Sequence, residues 1–161
     1  MRESISLNKL ILGTVQFGCQ YGINSAGRPT KEMVSEILAE AYKVGVKKLD
    51  TSSAYGKSEL MIGECIPAYS NFDIVSKFPK GIGPITKAIE ASLRKLRTNK
   101  LYGYLLHHFG LYKEMPSLWD EFKKLMAIND YGINENGKHM VYYNLSQILL
   151  IVMKEVYYIF L

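Results

Sequence analysis

The sequence predicts an α/β fold: a partial (β/α)8 barrel of about four β/α units, followed by an irregular tail. Three observations predict it. Short apolar runs recur, and amphipathic helical stretches separate them. Three of those runs end on a polar, titratable residue: Val46–Leu49 at Asp50, Asp73–Ser76 at Lys77, and Leu101–Leu106 at His107. Turns rich in Gly, Pro and Ser punctuate the alternation. Repeated units of this order imply a parallel sheet with right-handed crossovers, which carry every strand C-terminus to one side. In a barrel that side is the mouth, where chemistry sits.

The elements follow in order. Lys9–Leu12 is an apolar run stopped by Gly13 and reads as the first strand. Gly13–Gly18 reads as a loop, and 24–29, with Gly27 and Pro29, as a turn region. Thr30 is suited to cap a helix from Lys31 to Val44. Met33, Ile37, Leu38, Ala41 and Val44 are expected on its apolar face, and Gly45 ends it. The second strand runs to Asp50. A short helix spans Ser58–Ile66 and stops before Pro67. The third strand is Asp73–Lys77, and Pro79–Pro84 is a loop. The third helix places Ile85, Ile89, Leu93 and Leu96 on one face. The fourth strand is Leu101–His107, and Ser117 can cap a fourth helix carrying Leu118, Phe122 and Leu125.

After about Met126 the alternation weakens. Residues 129–137 are polar and turn-like, and 141–161 are rich in Tyr, Ile and Leu without a clean period. A strand near Met140–Tyr143 and a helix near Ser146–Lys154 are expected there. The chain therefore divides into 1–126, the β/α part, and 127–161, an atypical tail.

At 161 residues the chain suffices for one domain with a sizeable core. It is short for a complete eight-unit barrel, which takes about 250 residues. The net charge of +5 comes from basic residues scattered along the chain. No basic stripe interleaves with aromatics, which argues against nucleic-acid binding. The apolar stretch Ile148–Met153 is broken by Lys154 and Glu155, too short and too charged for a membrane span. Cys19 and Cys65 are isolated, and with no apolar leader segment they fit a reducing cytoplasm. Three histidines without His/Cys ligand spacing argue against a metal site.

The strand-end residues make sense together. Asp50, Lys77 and His107 end three strands, and Tyr55 follows Asp50 in a Ser/Gly-rich turn. A phenol is a poor acid at neutral pH, with an ordinary pKa near ~10. An adjacent ammonium, here Lys77, favours the phenolate, and Asp50 can compensate the lysine's buried charge. A histidine at the next strand end can hydrogen-bond a carbonyl oxygen. His107 and His108 are adjacent, so only one of them can point along the strand towards the mouth. Such a set polarises a carbonyl and protonates the developing alkoxide. The hydride must come from a cofactor.

These residues carry a family resemblance. Leu49–Glu59, which reads Leu-Asp-Thr-Ser-Ser-Ala-Tyr-Gly-Lys-Ser-Glu, resembles the aldo-keto reductase signature Asp-Thr-Ala-x-x-Tyr-Gly-x-Ser-Glu, and Ile62-Gly63-Glu64 continues it. Leu12-Gly13-Thr14 with Phe17-Gly18 resembles the family's first strand and loop. Val75-Ser76-Lys77 resembles the strand that ends on its lysine, and Ser92-Leu93 to His107 the helix and strand that deliver its histidine. The resemblance covers roughly 9–126.

It implies an NAD(P)H-dependent reduction of an aldehyde or ketone to an alcohol. Tyr55 would be the general acid and Lys77 would ease its ionisation. Asp50 would pair with Lys77, and His107 would orient the carbonyl. The implied cofactor is NADP(H), with NAD(H) as the alternative, held in an extended pose without a Gly-rich dinucleotide motif. Gly13, Thr14, Val15 and Asp50 would line its nicotinamide end. The implied partner is a small carbonyl substrate.

The family's barrel has eight units, and four are legible here. Its Gly-x-Ser strand, Asn/Gln pair and Arg/Ser-rich phosphate loop are not readable in the second half. The change after Met126 points to a truncated or frameshifted product. Half a barrel leaves the edges of strands one and four open, which invites self-association unless the tail covers one of them. Two further readings stay open. One is an inactive remnant or an interaction-only half-barrel. The other is a lyase using Lys77 as a Schiff base.

Overall fold

The computed structural model describes residues 10–22, 27–79, 83–108, 110–118, 120–122 and 157–159. The first strand, β1 (Leu10–Gly13), is buried at every position, as suits a strand covered on both faces. Where a loop was expected, one helical turn follows, α1 (Val15–Gly18). Hydrogen bonds from Phe17 N–H to Thr14 O and from Cys19 N–H to Val15 O close it. One turn is too short to show a period, so sequence pattern does not register it.

Thr30 caps α2 (Lys31–Lys43): its hydroxyl accepts from the Met33 N–H at 3.3 Å. The buried stripe of α2 is Val34 and Leu38, with Ile37, Ala41 and Tyr42 partly buried. Met33 and Val44, expected on that face, are exposed. The real stripe is rotated by one position, because Val34 and not Met33 falls in phase with Leu38 at i, i+4.

Then come β2 (Lys48–Asp50), α3 (Ser58–Cys65), β3 (Asp73–Phe78), α4 (Ile85–Leu96), β4 (Gly103–Leu106) and α5 (Gly110–Glu114). The short α5 was not foreseen. Residues 117, 118 and 120–122 are helical, with Leu118 and Phe122 buried. Leu125, the strand expected near 140–143 and the helix expected near 146–154 lie outside the described residues, as does the boundary at 126.

All strand pairs are parallel, in the order β4-β3-β2-β1-β5. The last strand, β5 (Tyr157–Ile159), runs along the outer edge of β1. The alternation of four parallel strands with helices makes this an α/β fold of the β/α-barrel kind.

Cross-strand partners share a face. Leu12, Leu49 and Ile74 are in register and join Val34, Leu38, Ile62, Ile85 and Leu96 in the core between sheet and helices. Gly13, Asp50, Val75 and Gly103 are likewise in register, on the opposite face. The helix layer fits only because α3 passes very close to α4. A Cβ on Gly63 would stand 2.2 Å from Lys95 O and 2.7 Å from the Leu96 carbonyl carbon. Gly63→Ala is therefore expected to destabilise the fold by about 2 kcal/mol or more, read as a lowered urea midpoint with an unchanged m-value.

Candidate active site

Three consecutive parallel strands deliver three of the four site residues. Asp50 is the last residue of β2, and Lys77 is next to last in β3. His107 extends β4 by one residue through its N–H bond to Phe78 O at 3.0 Å. Burial of β3 alternates: Ile74, Ser76 and Phe78 are buried against the helices, which leaves Lys77 on the opposite face with Asp50. On the helix side, the neighbouring Ser76 hydroxyl donates to Glu59 Oε1 at 2.7 Å, tying α3 to β3.

Lys77 Nζ lies 2.7 Å from both Asp50 carboxylate oxygens, 2.9 Å from Thr51 O and 3.4 Å from the Tyr55 hydroxyl. The Lys77 and Asp50 side chains are only 15% and 10% exposed, so this is a largely desolvated ion pair. Burial pushes the Asp50 carboxyl above its ordinary value, and the Lys77 charge opposes that rise.

The turn bearing Tyr55 is tied down from several sides. Thr51 N–H donates to Val75 O at 2.8 Å, and Tyr55 N–H donates to Ser52 O at 2.9 Å. Ser53 Oγ donates to Lys77 O at 3.2 Å. Beneath it, the buried hydroxyls of Thr14, Ser58 and Thr51 form a chain with contacts of 2.9 and 3.1 Å. Gly18 allows α1 to touch this turn: a Cβ there would lie 1.8 Å from Tyr55 O.

His107 Nδ1 lies 3.0 Å from Ser52 Oγ, and its ring meets the Tyr55 ring edge-on at 5.7 Å. Burial, and then the nearby His108 and Lys77 charges, hold the His107 imidazole below its ordinary value; Asp50 opposes them. His108 is exposed, with its ring against that of His107. The structure thus brings Asp50, Tyr55, Lys77 and His107 together.

Among the residues suggested to line a nicotinamide, Gly13 sits beside Asp50 in register. Val15 is buried at the start of α1. Thr14 is engaged within the fold: its hydroxyl and N–H bond Asp50 O, and its carbonyl accepts from Phe17 N–H and Ser58 Oγ. Ser52 and the Thr51 carbonyl were not foreseen as site groups. Ser52 was visible as the residue that replaces Ala in the signature, but nothing in the chain order links it to His107.

Among the described residues, no group of three or more His, Cys, Asp or Glu could hold a metal ion. No described helix is long and apolar enough to cross a membrane. Cys19 and Cys65 are unbonded thiols.

A parallel β/α sheet whose strand ends gather a carboxylate, an ammonium, a phenol and an imidazole has the architecture of a β/α-barrel protein, with a cluster of titratable groups at one end. The model of the aldo/keto reductase family matches residues 9–161, and the chain belongs to that family. An aldo-keto reductase from Pseudomonas aeruginosa is similar in structure, with 26% identity and a TM-score of 0.65 over 76% of this chain and 52% of that one. One from Klebsiella pneumoniae, in complex with NADPH, shares the fold at 20% identity and TM-score 0.58, over 90% of this chain and 49% of that one. A holo form from Bacillus halodurans does so at 18% identity and TM-score 0.61, over 92% and 50%. The chain thus spans about half the length of these structures. No curated protein matches it.

Two outcomes follow from this geometry. Lys77→Met strands a buried carboxylate and is expected to destabilise the fold by about 3–5 kcal/mol, most of it restored when Asp50→Asn is added; urea titrations of the single and double variants measure this. His107 binds its proton less readily folded than unfolded, so it stabilises the fold above its ordinary value of 6.5, and that contribution is lost as the pH falls below it. The thermal midpoint should rise with pH through that region, and His107→Gln should flatten the rise.

Proposed function

We propose that the chain carries the acid half of an NAD(P)H-dependent carbonyl reductase, with Tyr55 as general acid for the reduction of an aldehyde or ketone. The observation that carries this reading is the Lys77 ammonium, gripped by both Asp50 oxygens while 3.4 Å from the Tyr55 hydroxyl. Its charge favours the phenolate left when Tyr55 gives up its proton. Asp50 holds Lys77 in place and offsets its charge. His107 would be the second group to hydrogen-bond the carbonyl oxygen, and its edge-on contact with the Tyr55 ring supports that reading.

The residues fit the nicotinamide end of the cofactor. Gly13, which has no side chain, stands in register with Asp50 on the site face. With Val15 and Asp50 it would hold the ring, and the bound cofactor would supply the hydride. NADPH in the Klebsiella structure supports this choice, with NADH the alternative. The match to about half the relatives' length supports reading the chain as half a barrel. We place the division from its atypical tail near residue 126, and the protein in a reducing cytoplasm with its two free thiols. Among the described residues β4 ends the sheet, and that edge is the surface at which we expect self-association. A Schiff-base role suits Lys77 less well, because its N–H donors are spent on Asp50 and Thr51.

A fluorescence titration with NADPH tests the reading first, and saturable micromolar binding is expected. Tyr55→Phe should then lower kcat for an aldehyde by about 10²–10⁴ with NADPH affinity unchanged. Unchanged turnover would remove Tyr55 from the mechanism.

A further inference from the structure

His107 has two ring nitrogens, and only one of its neutral tautomers presents an N–H away from Ser52. Ser52 is fully buried, so each polar atom of its hydroxyl needs a partner inside the fold. Its Oγ accepts from the Ala54 N–H at 3.1 Å and lies 3.0 Å from His107 Nδ1. If Nδ1 carried the ring proton, Ser52 Oγ would accept twice and its own proton would be buried without an acceptor among the described residues. If the hydroxyl donates to Nδ1, every group at this contact is satisfied.

We propose that Ser52 is a positioning residue: its hydroxyl donates to His107 Nδ1 and locks the imidazole as its Nε2–H tautomer. Nε2 has no hydrogen-bond partner among the described residues, so its N–H is left for a ligand oxygen. The electrostatics agree, since burial and the Lys77 charge favour the neutral ring. Ala in this position would give neither the donor nor the acceptor for Ala54. The tautomer stands on this geometry alone, whereas its use in orienting a carbonyl rests on the function proposed above.

The test is ¹⁵N NMR of the imidazole in the full chain, at a pH where the ring is neutral, with His107 assigned through His107→Gln. The expected wild-type pattern is an unprotonated Nδ1 and a protonated Nε2. In Ser52→Ala the pattern should move towards a tautomer mixture, and kcat for a carbonyl substrate should fall about tenfold or more at unchanged NADPH affinity. A protonated Nδ1 in the wild-type chain overturns the proposal. So does a wild-type pattern that persists in Ser52→Ala. Should Ser52→Ala fail to fold, Ser52→Cys, similar in volume but a weak donor, takes its place: a mixed pattern supports the lock and an undisturbed one overturns it. A locked tautomer in a chain that neither binds NADPH nor reduces carbonyls would count against the proposed function and leave the lock standing.

Discussion

The ion pair between Lys77 and Asp50 is the constraint around which the site is arranged. Two charges this deeply withdrawn from water are tolerable only when each satisfies the other in close geometry. That geometry requires neighbouring parallel strands to end at matching heights, and the register places Asp50 beside Val75, two residues before Lys77. A one-residue slip of β3 would turn Lys77 to the helix side and bring Ser76 out. Ser76 is held against that slip by its bond to Glu59, so the two faces of β3 reinforce one register.

Around this pair the backbone itself supplies much of the scaffold. The Thr51 carbonyl faces the ammonium, the Lys77 carbonyl accepts from Ser53, and the Thr14–Ser58–Thr51 hydroxyls knit the ends of β1 and β2 to the start of α3. Tyr55 is therefore carried by a turn with little freedom to wander. In the role proposed for it, the phenol needs such support, because small displacements weaken proton transfer steeply.

Much of this was legible in the chain. The strand–helix alternation could be read because α2 and α4 have a clear apolar period and Gly or Pro marks the boundaries between several units, and the strand-end residues could be read because titratable groups end otherwise apolar runs. Thr30 as a cap follows from the same local chemistry. What escaped was set by tertiary contact. The phase of α2 depends on where the sheet lies, so Val34 and Met33 could not be told apart by spacing. One-turn α1 has no period, and its fit against the Tyr55 turn depends on Gly18 meeting residues some forty positions away. Ser52 and His107 are fifty-five residues apart in sequence and meet only because β2 and β4 flank β3.

The placement of β5 bears on how the molecule assembles. In β1–β2, β2–β3 and β3–β4, each strand pairs with its immediate successor, so these ladders can form as the chain is made. The contact of Leu10–Leu12 with Tyr157–Ile159 joins opposite ends of the sequence. Closing so large a loop is entropically late, and pairings of high contact order form slowly. During synthesis, one side of β1 stays without that neighbour until residues 157–159 have emerged. Until then β1 lacks its β5 partner, and a strand edge awaiting its partner invites pairing with another extended chain.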